Sequence, residues 1–227
     1  MAVIAAVSDV HSPLYLRGFL SSLGLRLNQA EVFLWGGDMV WKGRISALEP
    51  VLKGVKRVFK GKVIAVFGNE EHDELKDQFV ERYPEITWLD DSETIVEIED
   101  KTIRIVGTRG TLSQPTSWQE KNVPDIREIN SNRVQVVKEM IQKKVSDSIN
   151  LLLIHYSPTS LTIEGEDDSV YPLLMDERME TVIRETRPDL VIHGHAHNSK
   201  VLFARINETK VFNVAFPARK GITMIDI

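Results

Sequence analysis

The 227-residue chain contains no cysteine. That excludes a disulfide framework, a thiolate zinc site and a thiol nucleophile, while histidine and carboxylate metal sites stay open. No apolar run approaches the ~18 residues that a spanning helix needs, so no membrane partner is expected. A cationic surplus is lacking too, since 28 Lys and Arg stand against 33 Asp and Glu for a formal net charge of −5. Such a balance gives no nonspecific grip on a polyanion, and a long nucleic-acid partner is not expected. Residues 2–7 are apolar but too few for a signal core, carry no basic flank and run directly into Ser8 and Asp9. This predicts a cytoplasmic protein.

What is present is a globular balance, 42% hydrophobic and 27% charged, too polar for a membrane protein and too apolar for a disordered chain. The length fits one domain over residues 1–227. Apolar runs over residues 3–7, 32–35 and 63–67 alternate with helical patterns over 14–27 and 45–59 and a charged helix that starts near Asp73 and stops before Pro84. That rhythm belongs to an α/β protein. Residues 94–98 and 102–106 alternate apolar with polar around Asp100 and Lys101, which predicts a hairpin. Residues 111–124 lack an apolar period and are expected to form a long loop, followed by a helix over 125–146 with Asp125 as its cap. Residues 151–154 predict a buried strand, 181–186 the end of a helix, and Val191 a further strand. Residues 201–206, 210–214 and 221–225 are expected to close a second sheet.

Five of the six histidines, His11, His155, His193, His195 and His197, fall within a few residues of the C-terminal end of an expected strand. Asp9, Asp38 and Asn69 take the same position after their own strands. In layered α/β proteins, sites form where loops leave the strand ends. Gly36-Gly37-Asp38 and Gly68-Asn69 place short oxygen ligands after glycines, which permit positive φ and close approach of backbone. Imidazole, supplied around Gly194, is the common neutral ligand of divalent transition metals. Each motif alone is a strand-end turn; the conjunction is specific.

In order and spacing, Asp9-x-His11, Gly37-Asp38, Gly68-Asn69, His155 and Gly194-His195-x-His197 resemble the calcineurin-like metallophosphoesterase superfamily. The resemblance implies an α/β fold, a two-sheet sandwich flanked by helices in four αββα layers. It also implies two divalent metal ions, Mn, Fe or Zn, with Asp9, His11 and His197 holding one, Asn69, His155 and His195 the other, and Asp38 bridging both. The implied activity is hydrolysis of a small phosphomono- or phosphodiester substrate by a hydroxide that bridges the metals.

Where that family usually has Gly-Asn-His, this chain has Gly68-Asn69-Glu70-Glu71-His72. Asn69, Glu70 and His72 are therefore the candidate catalytic residues: Glu70 replaces the usual acid, or His72 reaches the phosphate through a shifted loop, or water protonates the leaving group. By strand alternation His193 shares a face with His195 and is expected to support the ligands rather than join them. Arg109 is a candidate phosphate donor, and Arg44 either another or a solvated surface group. Trp118 either stacks on a substrate ring or covers the core. The acidic stretch 164–168 repels extended polyanions. A nuclease and a metal-binding interaction scaffold are the alternative readings, the first opposed by the net charge.

Overall fold

A computed structural model describes residues 2–227. Its first sheet holds β1 (Val3–Val7), β2 (Val32–Trp35), β3 (Lys62–Val66), β4 (Ile86–Leu89) and, from the far end of the chain, β11 (Thr223–Asp226), in the order β11-β1-β2-β3-β4. The second holds β5 (Ser92–Ile98), β6 (Lys101–Thr108), β7 (Ser148–Ile154), β8 (Leu190–His193), β9 (Phe203–Ile206) and β10 (Thr209–Asn213), in the order β5-β6-β7-β8-β10-β9. β1 to β4 run parallel, as do β6, β7, β8 and β10, while β11, β5 and β9 pair antiparallel with their neighbours.

Strand alternation sorts each run between two cores. Ile4 and Ala6 of β1 face the second sheet, in a cluster with Leu34, Ile64, Ile105, Leu153 and Ile192. Ala5 and Val7 face outward, onto α1 (Leu16–Ser22), α2 (Leu48–Val58) and α3 (Lys76–Arg82). In α2 the buried residues are Leu48, Val51, Leu52 and Val55, a spacing of three and four that makes one apolar stripe. On the other side α5 (Ile126–Gln142) and α6 (Glu177–Thr186) cover Val106, Leu152, Ile154 and Val191. Each fully buried aliphatic side chain contributes ~1.5–3 kcal/mol relative to exposure. The product is the expected four-layer sandwich, its parallel strands buried on both faces. Among the described residues no helix is long and apolar enough to cross a membrane.

The chain departs from the sequence expectation in several places. Residues 221–225 do not close the second sheet; they contribute to β11, which pairs Val3 with Asp226 and sends Ile225 into the space between the sheets. The expected loop 111–124 contains α4 (Ser117–Asn122), started by a reciprocal cap in which Thr116 Oγ1 accepts from Gln119 N at 3.2 Å and Gln119 Oε1 from Thr116 N at 2.9 Å. Asp125 makes no side-chain cap, because its backbone is left-handed at φ 57°. The helix expected over 14–27 breaks at Leu23 and Gly24 into α1 and a 3₁₀ segment, Leu25–Gln29. β4 is a strand that the sequence reading does not contain.

The last helix, α7 (Phe216–Arg219), follows β10. Its first amide hydrogen-bonds the carbonyl of Ser8 at 2.9 Å, beside the loop that opens the site.

Candidate metal centre

Five loops leave the C-terminal ends of β1, β2, β3, β7 and β8 and bring their side chains to one edge where the sheets meet. The loops after β1 and β2 lie along each other, with Asp9 N on Gly37 O at 3.0 Å and His11 N on Asp38 O at 2.9 Å. To aim their side chains inward, Asp9, His11, Asp38 and His195 adopt left-handed φ of 58°, 42°, 51° and 67°. Such backbone costs ~1–3 kcal/mol per non-glycine residue and persists only where surrounding bonds hold it. Glycines provide room: a Cβ on Gly68 would overlap Asp38 Oδ1, and one on Gly194 would overlap Asp9 Oδ2.

The side chains form two adjoining groups. In the outer one, His197 Nε2 lies 2.9 Å and His11 Nε2 3.6 Å from Asp9 Oδ1. In the inner one, His155 Nε2 lies 3.5 Å from Asp38 Oδ2 and 3.1 Å from Asn69 Oδ1, with His195 beside it. Asp38 Oδ2 is also 3.6 Å from His11 Nε2, so one carboxylate oxygen faces a ring from each group. Asp9 spans them as well, because its Oδ2 accepts from His195 N at 2.9 Å. All seven expected ligands therefore meet at this edge. Among the described residues, both groupings of three or more metal-capable histidine and carboxylate side chains lie here. A cavity of about 610 Å³ opens elsewhere, lined by Asn28, Glu31, Arg57 and Lys60 among others.

The donor set fits divalent cations. His155 Nδ1 faces Gly36 O at 2.8 Å and His195 Nε2 faces Leu173 O at 3.2 Å; a carbonyl only accepts, so the ring protons sit there. The other nitrogen of each ring presents a lone pair inward, and that of His155 confronts the oxygens of Asp38 and Asn69. Acceptors converging on acceptors call for a cation. Burial pushes His155 down to about 4. His195 keeps part of its surface in solvent, yet desolvation and the charge of His155 push it down to about 3. Both rings are neutral at physiological pH and so able to ligate without losing a proton.

In the outer group the balance reverses. Burial lowers His11, but its bond to Asp9 and the charge of Asp38 outweigh burial and raise it to about 9. His197 is likewise raised, Asp9 overcoming burial. Asp9 itself is held well below the usual carboxylate range, because His197 and His11 overcome its burial. Burial and then the charge of Asp9 push Asp38 up to about 7.

The catalytic candidates separate. Asn69 joins the inner group, whereas Glu70 Oε2 accepts from Lys42 N at 2.6 Å and Glu70 N donates to Asp38 Oδ1 at 2.8 Å. His72 belongs to neither group; its ring lies against the Gly43 backbone, with Nδ1 3.7 Å from Glu74. His193 is spent on structure, Nδ1 on Gly194 O at 2.9 Å and Nε2 on Thr162 Oγ1 at 2.7 Å. Strand alternation with His195 does not apply, because β8 ends at His193. Arg109 is buried at the end of β6, where Nη1 meets Asp73 at 2.9 Å and Nε and Nη2 have no hydrogen-bond partner. Arg44 is exposed above Trp41, and Trp118, 63% exposed, covers no core.

Sequence reasoning gave no role to Glu71. Its buried carboxylate accepts from Gly68 N and Asp38 N on one oxygen and from Met39 N and Val40 N on the other, at 2.7 to 3.3 Å, tying the loops after β2 and β3 together. Burial, then the charge of Asp38, raises it to about 7.

A family model described as calcineurin-like phosphoesterase matches residues 2–199. No curated protein matches the sequence. Among solved structures, the phosphopantetheinyl hydrolase of Mycobacterium tuberculosis is similar at 16% identity and TM-score 0.65, over 96% of this chain and 91% of its own. The TT1561 protein of Thermus thermophilus is similar at 12% identity and TM-score 0.61, over 99% and 98%. A putative 5′-nucleotidase of Staphylococcus aureus is similar at 16% and TM-score 0.56, over 98% of this chain but 50% of its own.

Proposed function

The chain belongs to the calcineurin-like phosphoesterase family, and from that premise we propose that it hydrolyses a small phosphoester with two divalent metal ions at the centre formed by Asp9, His11, Asp38, Asn69, His155, His195 and His197. The observation that carries this reading is the inward lone pair of His155, fixed by Gly36 O and facing the oxygens of Asp38 and Asn69. When bound, such ions supply the Lewis acidity that activates water and offsets charge on the phosphoryl oxygens.

The chain's own residues set the terms. Asp38 stands between the two groups and shares charge with both; Glu71 holds the backbone of Asp38 so that this carboxylate keeps its aim. His155 and His195 need no deprotonation before they ligate. Neither Glu70, engaged by Lys42 N, nor His72, turned to Gly43 and Glu74, is placed to protonate a leaving group. Esters whose leaving groups depart unprotonated are the favoured substrates, and the net charge of −5 favours small ones over nucleic acid. The test is turnover of a chromogenic phosphodiester and a phosphomonoester with manganese added or chelated. Hydrolysis that requires the metal supports the reading; metal binding without hydrolysis of either overturns it in favour of a scaffold.

A further inference from the structure

The turn at residues 41–44 begins three residues beyond Asp38, and its backbone is unusual. Lys42 and Gly43 are consecutive left-handed residues, at φ 54° and 63°. A lysine gains nothing from that conformation by itself, so the turn needs an external hold. Glu70 is that hold: Oε2 accepts from Lys42 N at 2.6 Å, and its carbonyl oxygen accepts from Gly43 N at 2.8 Å. The same residue donates its own N–H to Asp38 Oδ1 at 2.8 Å, so turn and bridging carboxylate are fastened to one point. The turn carries two exposed cations on one half-buried indole, Lys42 Nζ 4.5 Å and the Arg44 guanidinium 5.8 Å from the Trp41 ring centre.

We propose that Glu70 is a positioning residue: by holding the 41–44 turn beside Asp38 it keeps Lys42 and Arg44 at the rim, where they contact the oxygens of an anionic phosphoester. The substrate half of this inference rests on the phosphoesterase reading; the fastening of the turn does not.

Amide exchange at Lys42 and Gly43, and affinity for inorganic phosphate in the manganese-loaded protein, test it together. Glu70→Ala removes the side-chain acceptor, so Lys42 N–H should exchange about tenfold faster, with phosphate affinity falling several-fold. Glu70→Gln keeps an acceptor oxygen and should stay within about twofold of the unmutated protein on both counts. Lys42→Ala together with Arg44→Ala should lower phosphate affinity and raise KM more than it lowers kcat, leaving metal content intact. Unchanged exchange and phosphate affinity in Glu70→Ala, or a Gln variant as impaired as Ala, overturns the proposal. Failure of the parent reading shows itself elsewhere, as absent hydrolysis in the unmutated protein.

Discussion

The two groups of the centre both draw on histidine and aspartate and are built on opposite electrostatic terms. His155 and His195 of the inner group are neutral because protein surrounds them, and backbone carbonyls have already chosen which nitrogen faces inward. In the outer group Asp9 and Asp38 raise His11 to about 9 and shift His197 upward, and the His197 side chain is 31% exposed. An imidazole becomes a ligand by either route. In the first, burial prepares the lone pair; in the second, the cation replaces a proton that the carboxylates were holding.

The strongest way to break the comparison is substitution at the residues that belong to one side or to both. His155→Ala should lower metal occupancy of the inner group by at least about 10–100-fold and spare the outer, His197→Ala should do the reverse, and Asp38→Asn should weaken both and abolish turnover. Metal analysis of the purified variants reads this directly. Two full equivalents in an active Asp38→Asn protein would remove Asp38 from its bridging place.

Acidity sharpens the contrast next. His11, raised to about 9, must shed its proton to bind a cation, so outer-group affinity should climb with pH by about tenfold per unit for each displaced proton, levelling near pH 9. The inner histidines, with His155 at about 4 and His195 at about 3, carry no proton to displace and should contribute no pH dependence above about pH 5, which leaves there only the proton of Asp38, raised to about 7 and facing both groups. Metal titrations at about pH 6 and about pH 8 should resolve two classes of site at the lower value and draw them together at the higher. Parallel pH dependence of both classes would show that the groups do not differ in this way.

The smallest effect is expected where the two groups share a support. Glu71→Gln turns one acceptor oxygen into a donor facing backbone N–H groups, which should cost about 1–3 kcal/mol of stability in urea or thermal unfolding. Because Glu71 holds the loops of Asp38 and Asn69 rather than a single ring, metal preference between the groups should not change. A shift confined to one group would assign Glu71 a more local role.

The convergence of the candidate ligands was legible because each stands in a short motif at the end of an apolar run, and apolar runs buried on both faces are the plainest strand signal in such a chain. Glu71 was not, since Glu70, Glu71, Asp73 and Glu74 form one acidic patch and nothing in their order tells the buried member from its solvated neighbours. The cap of α4 was written in Thr116 and Gln119, yet Pro115 and the polar residues around them gave no apolar period to attach it to. β11 joined the first sheet for a reason no local pattern carries: its partner is β1, at the other end of the chain. His193 was placed on the face of His195 because alternation assumes that the strand continues, and it stops there.

Asp9, Asp38 and Asn69 come from loops of the first sheet, His155, His195 and His197 from loops of the second. A cation held by both is a cross-link between the sheets, spanning from Asp9 to His197 along the chain. Closing so long a loop from an unfolded chain is entropically costly, so the complete donor set comes into being only when the sheets have stacked. The centre would therefore act as a checkpoint on assembly: a chain in which only the first sheet has formed offers Asp9, His11, Asp38 and Asn69 without His155, His195 and His197. Only the finished sandwich presents all seven side chains at one edge.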